Sequence, residues 1–368
     1  MSLFEFSLAG PGDDAQLRER MARDWVEGAA AISLRREPSY FNACRLQGAP
    51  VQIIIAREVS TGRIVSMGSR CITTTHIDGR PVRTAVLADL RIHPDYRNGT
   101  LVARTYRFLR SLHEADPLPC FVLIYDDNTT AVNSLSSGRA GLPIHWLRGR
   151  LLVRSLHLSR PLPELAMPGI ELRRARPDEL PTLVEFLNRR RARHLWAPVL
   201  GVDDFLPSGR CDTLKAQDFF VALRQGRICA TIAAWDQSSL RQAHIERYAR
   251  STAWLRPGYN LLARWRGRPL LPAPGQALPY VYLACIAVEN DAPELCSVLL
   301  RHVYNALCGG RWSYALAALH EDDPLGAAFA GYPAVKSTVR LYEVDFKAAP
   351  GDPAPPLSGN PRIEFALT

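Results

Sequence analysis

The stretch "HPDYRNGTLV", residues 93–102, sets an arginine, an asparagine, a glycine and a threonine directly ahead of a helical pattern. The first amide groups of a helix have no intrahelical acceptor and carry a partial positive charge. Backbone N–H groups of Asn98, Gly99, Thr100, Leu101 and Val102 can therefore hold a diphosphate, with Arg97 adding a fixed cation. Gly99 also permits close approach of a ligand to the backbone. The plainer alternative is structural, with Thr100 capping the helix and Gly99 making the turn. Two further residues invite chemistry. Asp89 interrupts an otherwise apolar strand and needs either a charged partner, for which Arg83 and Arg91 are at hand, or a task. Tyr125 stands at the end of the apolar run "CFVLIY", residues 120–125, where a tyrosine either packs or donates a proton.

The surrounding pattern supplies the elements that position these groups. Phe4, Phe6 and Leu8 alternate with polar residues as a strand, and residues 13–31 favour a helix. Residues 51–58 and 63–77 read as strands, and Asp78-Gly79 turns the chain into a third, antiparallel strand at 82–92. In the helix that follows, Leu101, Thr105, Phe108 and Leu112 share one stripe, with Arg104, Arg107 and Arg110 turned away. The run 120–125 then has the character of a strand buried on both faces. A strand, helix, strand crossover makes the strands 82–92 and 120–125 parallel neighbours, with the turn at the carboxyl end of the first.

This series resembles the GCN5-related N-acetyltransferase (GNAT) superfamily, whose acyl-CoA loop reads Arg/Gln-x-x-Gly-x-Gly/Ala after a strand ending in a hydrophobic-x-Pro step. "LRIHPDYRNGTLV" matches the strand, Pro94 and Arg97, with Thr100 and Val102 where that family places its glycines. "DDNTTAVNSL" supplies Asn128 and Ala131 in the family's Asn-x-x-Ala step, and Leu135 stands where the family often carries a tyrosine acid. The resemblance implies acyl transfer from acetyl-CoA, or another acyl-CoA, to an amine. Asp89 would be the base, Tyr125 (or Ser136, or solvent) the acid, backbone N–H of the fourth strand the oxyanion donor. Leu90 and Ile92 would pair with the pantetheine arm, which Asn128 would also meet, and Arg97 through Val102 would bind the diphosphate. His93 is expected to be a loop residue.

Beyond the Pro-rich segment 161–169 the order of elements repeats: a helix at 177–191, strands at 218–225, 227–235 and 280–288, a helix at 292–307, and strands at 313–320 and 337–346. The expected fold class is α/β (α+β), with two tandem GNAT-like folds. Each is a mixed, mostly antiparallel sheet with a splayed central parallel strand pair flanked by helices. The expected domains are 1–160, which binds acyl-CoA, and 170–346, a degenerate copy ending in the Gly331-Tyr332 step, with residues 347–368 as a tail. In the second copy Glu289 and Asp291 stand where a diphosphate would sit and would repel it. An insertion at 238–279 reads as helix around "QAHIERYA" and as packing at the domain interface; lidding a cleft is the alternative. "RIEFALT" at the end reads as a docked short strand.

A hydrophobic content of 47% without an apolar run near 18 residues fits a soluble cytoplasmic protein and leaves out a membrane, both as a span and as a partner. The eight cysteines are scattered, so neither a metal clip nor a disulfide framework is expected, and no metal is needed. The net charge of +9, almost all of it arginine, attracts acidic cofactors, while nucleic acid is the weaker expectation. The expected acceptor is a small-molecule or peptide amine, and the expected assembly a monomer or homodimer. Two rival classes are a non-catalytic tandem sensor or scaffold, and an aminoacyl-tRNA-dependent transferase.

Overall fold

The computed structural model of the chain describes residues 3–25, 30–97, 99–135, 141–266 and 268–368. Its first half runs β1 (Phe4–Leu8), α1 (Asp14–Arg23), β2 (Ala30–Arg35), α2 (Tyr40–Cys44), β3 (Val51–Glu58), β4 (Ile64–Ile77), β5 (Arg80–Ile92), α3 (Leu101–Ala115), β6 (Cys120–Tyr125), α4 (Thr129–Leu135) and β7 (Ile144–His157). The second half repeats much of that order as β8 (Ile170–Arg174), α5 (Leu180–Arg191), β9 (Phe219–Arg224), β10 (Arg227–Trp235), β11 (Gln242–Tyr248), α6 (Arg250–Arg266), β12 (Tyr280–Val288), α7 (Pro293–Leu307), β13 (Tyr314–His320) and β14 (Ala334–Asp345). Between β4 and β5, Asp78 and Gly79 both take positive φ (51° and 74°), the hairpin geometry their sequence demands.

Twelve strands form one sheet in the order β1-β3-β4-β5-β6-β14-β7-β13-β12-β10-β9-β8. The two ends of this order are mirror counterparts, and the halves meet by exchanging their last strands. β14 pairs with β6 of the first half, β7 pairs with β13 of the second, and β14 and β7 pair with each other. Helices cover both faces. In β9, Phe219, Val221 and Leu223 pack with α5 residues such as Leu183 and Leu187, while Phe220 and Ala222 pack with Leu299 and Val303 of α7. In the first half, Tyr106 and Leu109 of α3 bury against Ile54, Leu87 and Val122. Leu17, Met21 and Tyr40 of α1 and α2 bury against Ile53, Ile55 and Met67 on the opposite face.

Two expectations fail together. The helix placed at 13–31 stops at Arg23, and Ala30 opens β2; "QAHIERYA" is the strand β11 followed by a helix, α6, further on. β2 and β11 form a separate two-stranded antiparallel sheet that bridges the halves, and β11 makes one further antiparallel bridge, His244 to Ala277. Their ladder carries Ser33 donating to Glu246 at 2.5 Å and an ion pair from Arg35 to the same carboxylate at 2.8 Å. Rather than a strand, the final segment forms one isolated bridge, Leu195 to Pro361, and a short helical turn at Phe365–Leu367, and is held further by side-chain bonds such as Gln237 to the Ala366 carbonyl. All eight cysteines are free, and seven are buried.

Candidate active site

β5 and β6 run parallel for only three residue pairs, Ala85 with Cys120, Val86 with Phe121 and Leu87 with Val122, and pairing ends there. On its other side β5 carries a bulge. Met67 pairs with Arg91 and Ser69 with Ala88, so Asp89 and Leu90 together face Gly68. Asp89 accordingly takes φ +54°, a conformation an aspartate tolerates better than most side chains but still at some cost. Beyond the divergence Leu90, Val102 and Ala131 are only partly buried, against the cluster that contains Leu87, Val122 and Ile124. These three residues stand where the strands part and where α3 and α4 begin.

Around the bulge the structure gathers charges from distant parts of the chain. Arg36, at the end of β2, donates to Asp89 Oδ2 at 2.6 Å, and the Tyr40 hydroxyl donates to the same oxygen at 3.1 Å. The expected partners of Asp89 are thus replaced: Arg83 pairs with Asp116, and Arg91 donates to the carbonyl of Leu90. Burial alone would raise the Asp89 carboxyl, but the charges of Arg36, Arg91 and Arg241 outweigh it and hold it below the ordinary range. Arg241, from the segment leading into β11, is itself lowered by burial and by Arg36. Arg36 Nε and Arg241 Nε and Nη2 are buried without hydrogen-bond partners among the described residues. Nothing local in the sequence marks Arg36 or Arg241 as site residues, because the pairing of β2 with β11 is what delivers them.

The other candidate residues are placed as follows. Arg97 is half exposed; its Nε donates to the carbonyl of Ile92 at 3.2 Å and its Nη2 lies 3.4 Å from Asp24. Gly99 and Thr100 are exposed and precede α3, in which the first backbone bond is from Arg104 N–H to the Thr100 carbonyl. The amides of Leu101 and Val102 thus belong to the helix's unpaired first turn. Thr100 occupies the cap position but makes no side-chain capping bond. Asn98 and Ser136 lie outside the described residues. Asn128 directly precedes α4, its side-chain oxygen accepting from the Ala131 N–H at 3.2 Å. Tyr125 packs among the residues around Phe121 and Leu341, and burial together with Tyr282 raises its phenol far above the ordinary value. His93 bonds the Asp95 amide through Nδ1 and caps its own turn. Leu135 is buried in the α3 cluster, so no acid stands there.

No protein-family model and no curated protein matches the sequence. Solved structures do. Saccharomyces cerevisiae N-myristoyltransferase with bound myristoyl-CoA matches over 95% of this chain and 84% of that one, with TM-score 0.60 and 14% identity. A GCN5-related N-acetyltransferase from Sphaerobacter thermophilus matches over 98% and 99%, with TM-score 0.54 and 12% identity, and one from Anabaena variabilis over 94% and 73%, with TM-score 0.53 and 10% identity. The chain has the GNAT fold, in tandem.

The second GNAT-like copy repeats the geometry and fills it. β12 and β13 pair in parallel for three residues, Tyr280 with Tyr314 through Tyr282 with Leu316. β12 bulges at the corresponding point, where Cys285 and Ile286 face Ile232 and Cys285 takes φ +52°. Between the diverging strands runs the end of the chain: Arg362 to Ala366 share a small cavity with Leu283 and Ile286 of β12 and Leu316 and Ala318 of β13. The bulge amide of Cys285 donates to Glu364 Oε2 at 2.8 Å, and Arg191 donates to the same oxygen at 2.8 Å. At the position expected to repel a diphosphate, Asp291 is paired with Arg362 at 2.8 Å and lies 3.5 Å from Arg190. A carboxylate and a guanidinium of the chain itself therefore occupy the slot.

Proposed function

We propose that the protein is an acyl-CoA-dependent N-acyltransferase whose working cleft is the first copy. One comparison supports the reading: the second copy's bulge amide binds a carboxylate oxygen, and the corresponding bulge in the first copy, at Asp89 and Leu90, would offer its amide to the oxyanion of a thioester under attack. The diphosphate would rest on the amides from Asn98 to Val102, with Arg97 swinging from its contact with the Ile92 carbonyl. The pantetheine arm would lie on the free edge of Leu90 and Ile92, beside Asn128. Similarity of fold to proteins described as acetyl- and myristoyltransferases supports acyl-CoA as donor; acetyl-CoA is the first donor to test.

In the reaction the amine attacks the thioester carbonyl, the C–S bond breaks, and the ammonium proton must leave. Asp89 is the carboxylate nearest the bulge, and its pairing with Arg36 makes it a weak base that orients the amine as much as it accepts the proton. Tyr125, kept protonated by burial, is the candidate acid for the thiolate. The unpartnered N–H groups of Arg36 and Arg241 fit an acceptor that carries an anionic group beside its amine, whether a small molecule or a peptide. We place the enzyme in the cytoplasm as a monomer or homodimer. The buried Leu135 in place of a tyrosine acid favours a second reading, a CoA-binding sensor without turnover.

Calorimetry with acetyl-CoA decides between them and a fold that binds no CoA. Wild-type protein should bind and Arg97→Glu should not, because the reversal puts a negative charge beside a diphosphate. Equal binding by both proteins removes Arg97 from the site, and binding by neither sinks the acyl-CoA reading. Binding without release of free thiol in the presence of amines supports the sensor.

A further inference from the structure

Helix α6 presents its apolar side outward. Its inner face is polar: Arg256 Nε donates to the Leu271 carbonyl at 3.0 Å, Asn260 meets both backbone groups of Leu271 at 2.9 and 3.0 Å, and Ala263 is buried. On the opposite side Trp254, Leu261 and Trp265 are 82%, 73% and 80% exposed. At about 100° per residue, offsets of seven and eleven bring these three to one line along the helix. Leu262 and Leu255 widen the stripe on one side, and both are exposed. Arg250 and Arg264 flank it on the other side, and Arg266 borders Leu255. From Tyr248 to Val288 the chain carries five arginines and no aspartate, glutamate or lysine. The expectation that the aromatic residues of this insertion pack at the domain interface is therefore corrected for these two tryptophans.

We propose that α6 docks on an anionic lipid bilayer, Trp254, Leu261 and Trp265 entering the boundary between headgroups and acyl chains while Arg250, Arg264 and Arg266 meet lipid phosphates. Three features favour lipid over a protein partner. The stripe is a convex ridge rather than a groove, tryptophan is the residue suited to a headgroup interface, and a stripe flanked by Arg250, Arg264 and Arg266, in a stretch of chain without an acid, is complementary to a sheet of phosphates. None of the described helices is long and apolar enough to cross a membrane, so the contact is peripheral. It revises the expectation that no membrane is among the partners. α6 hangs from β11, whose first residue Gln242 bonds both backbone groups of Glu37, next to Arg36. Docking would thus hold the acceptor side of the cleft near the lipid surface. The surface stands or falls independently of the acyl-transfer reading.

Flotation of the full chain with vesicles tests it. Wild-type protein should float with phosphatidylcholine vesicles containing phosphatidylglycerol, float less as salt is raised, and stay behind with phosphatidylcholine alone. Trp254→Ala with Trp265→Ala, and separately Arg250→Glu with Arg264→Glu and Arg266→Glu, should each weaken binding at least about tenfold while leaving the melting temperature unchanged. If the tryptophan variant fails to fold, the arginine variant decides by the same criterion. Absence of binding to anionic vesicles at low salt overturns the proposal, as does binding by the variants equal to that of wild type. A wild-type dimer in sedimentation that the tryptophan variant converts to monomer would overturn it in favour of a contact between two copies of this chain.

Discussion

Replacing Asp89 by asparagine keeps the size of the side chain and removes its charge. Both side chains of the Asp89–Arg36 pair are less than a tenth exposed, and Arg241 adds a second buried cation whose field reaches Asp89. Asp89→Asn therefore leaves two guanidinium groups inside the protein without a counter-charge, at a cost of about 3–5 kcal/mol. Arg36→Met strands the carboxylate instead and should cost a similar amount. The double variant, which removes both charges, should cost much less than the sum, a coupling of about 3 kcal/mol. Urea denaturation of the four proteins measures this through the shift in midpoint at constant slope. Loss of less than about 1 kcal/mol in Asp89→Asn, or simple additivity in the double variant, would refute the pairing as the source of stability. The pH dependence has a definite sign. The folded-state pKa of Asp89 lies below the unfolded value of about 3.9, so its contribution is complete above that value and is lost as pH falls through the folded pKa.

Calorimetric titration with CoA should give one site per chain, since Glu364 and Arg362 already occupy the second cleft; two equal sites would contradict that assignment. Glu364→Ala should destabilise the protein by about 2–4 kcal/mol by stranding the buried Arg191 and the Cys285 amide, and a melting temperature equal to wild type would argue against it. His145 is buried beside Tyr106, and desolvation brings its pKa down to about 4, so the unfolded chain takes up its proton first. Stability present above pH 6.5 should fall by roughly 3 kcal/mol as pH drops through 4, and His145→Gln should flatten that slope in thermal melts.

Local pattern was enough for β3, β6, β10 and β12, whose apolar runs are dense and bounded by turn residues, and for the placement of Arg97 and Thr100 before α3. It was not enough where a strand exists only because of a distant partner. Residues 30–35 are alanine-rich and continue a helical pattern, and 242–248 is mostly polar, with only Ala243, Ile245 and Tyr248 apolar. Each is a strand because the other is, 213 residues away along the chain at the Ser33–Glu246 contact. Tertiary pairing outweighs propensity there. The same pairing brings Arg36 and Arg241 to Asp89, so neither the two strands nor the Asp89–Arg36 ion pair follows from local pattern, and both for one cause. The bulge, too, was invisible: Asp89 stood out by its charge, whereas its backbone conformation depends on register with β4.

The duplicated fold suggests why one cleft is filled. The bulge of the second copy turns the Cys285 amide out of the ladder where strands diverge, and an amide in an apolar slot must find an acceptor. In the second copy Glu364 is that acceptor, and Arg191, buried beside it, neutralises the carboxylate. Through β14 the second half supplies the strand that flanks β6 from Cys120 to Tyr125. The first copy has no such carboxylate at its bulge amide among the bonds described; its own Asp89 carboxylate faces Arg36 instead. The asymmetry follows from where the chain's last segment docks.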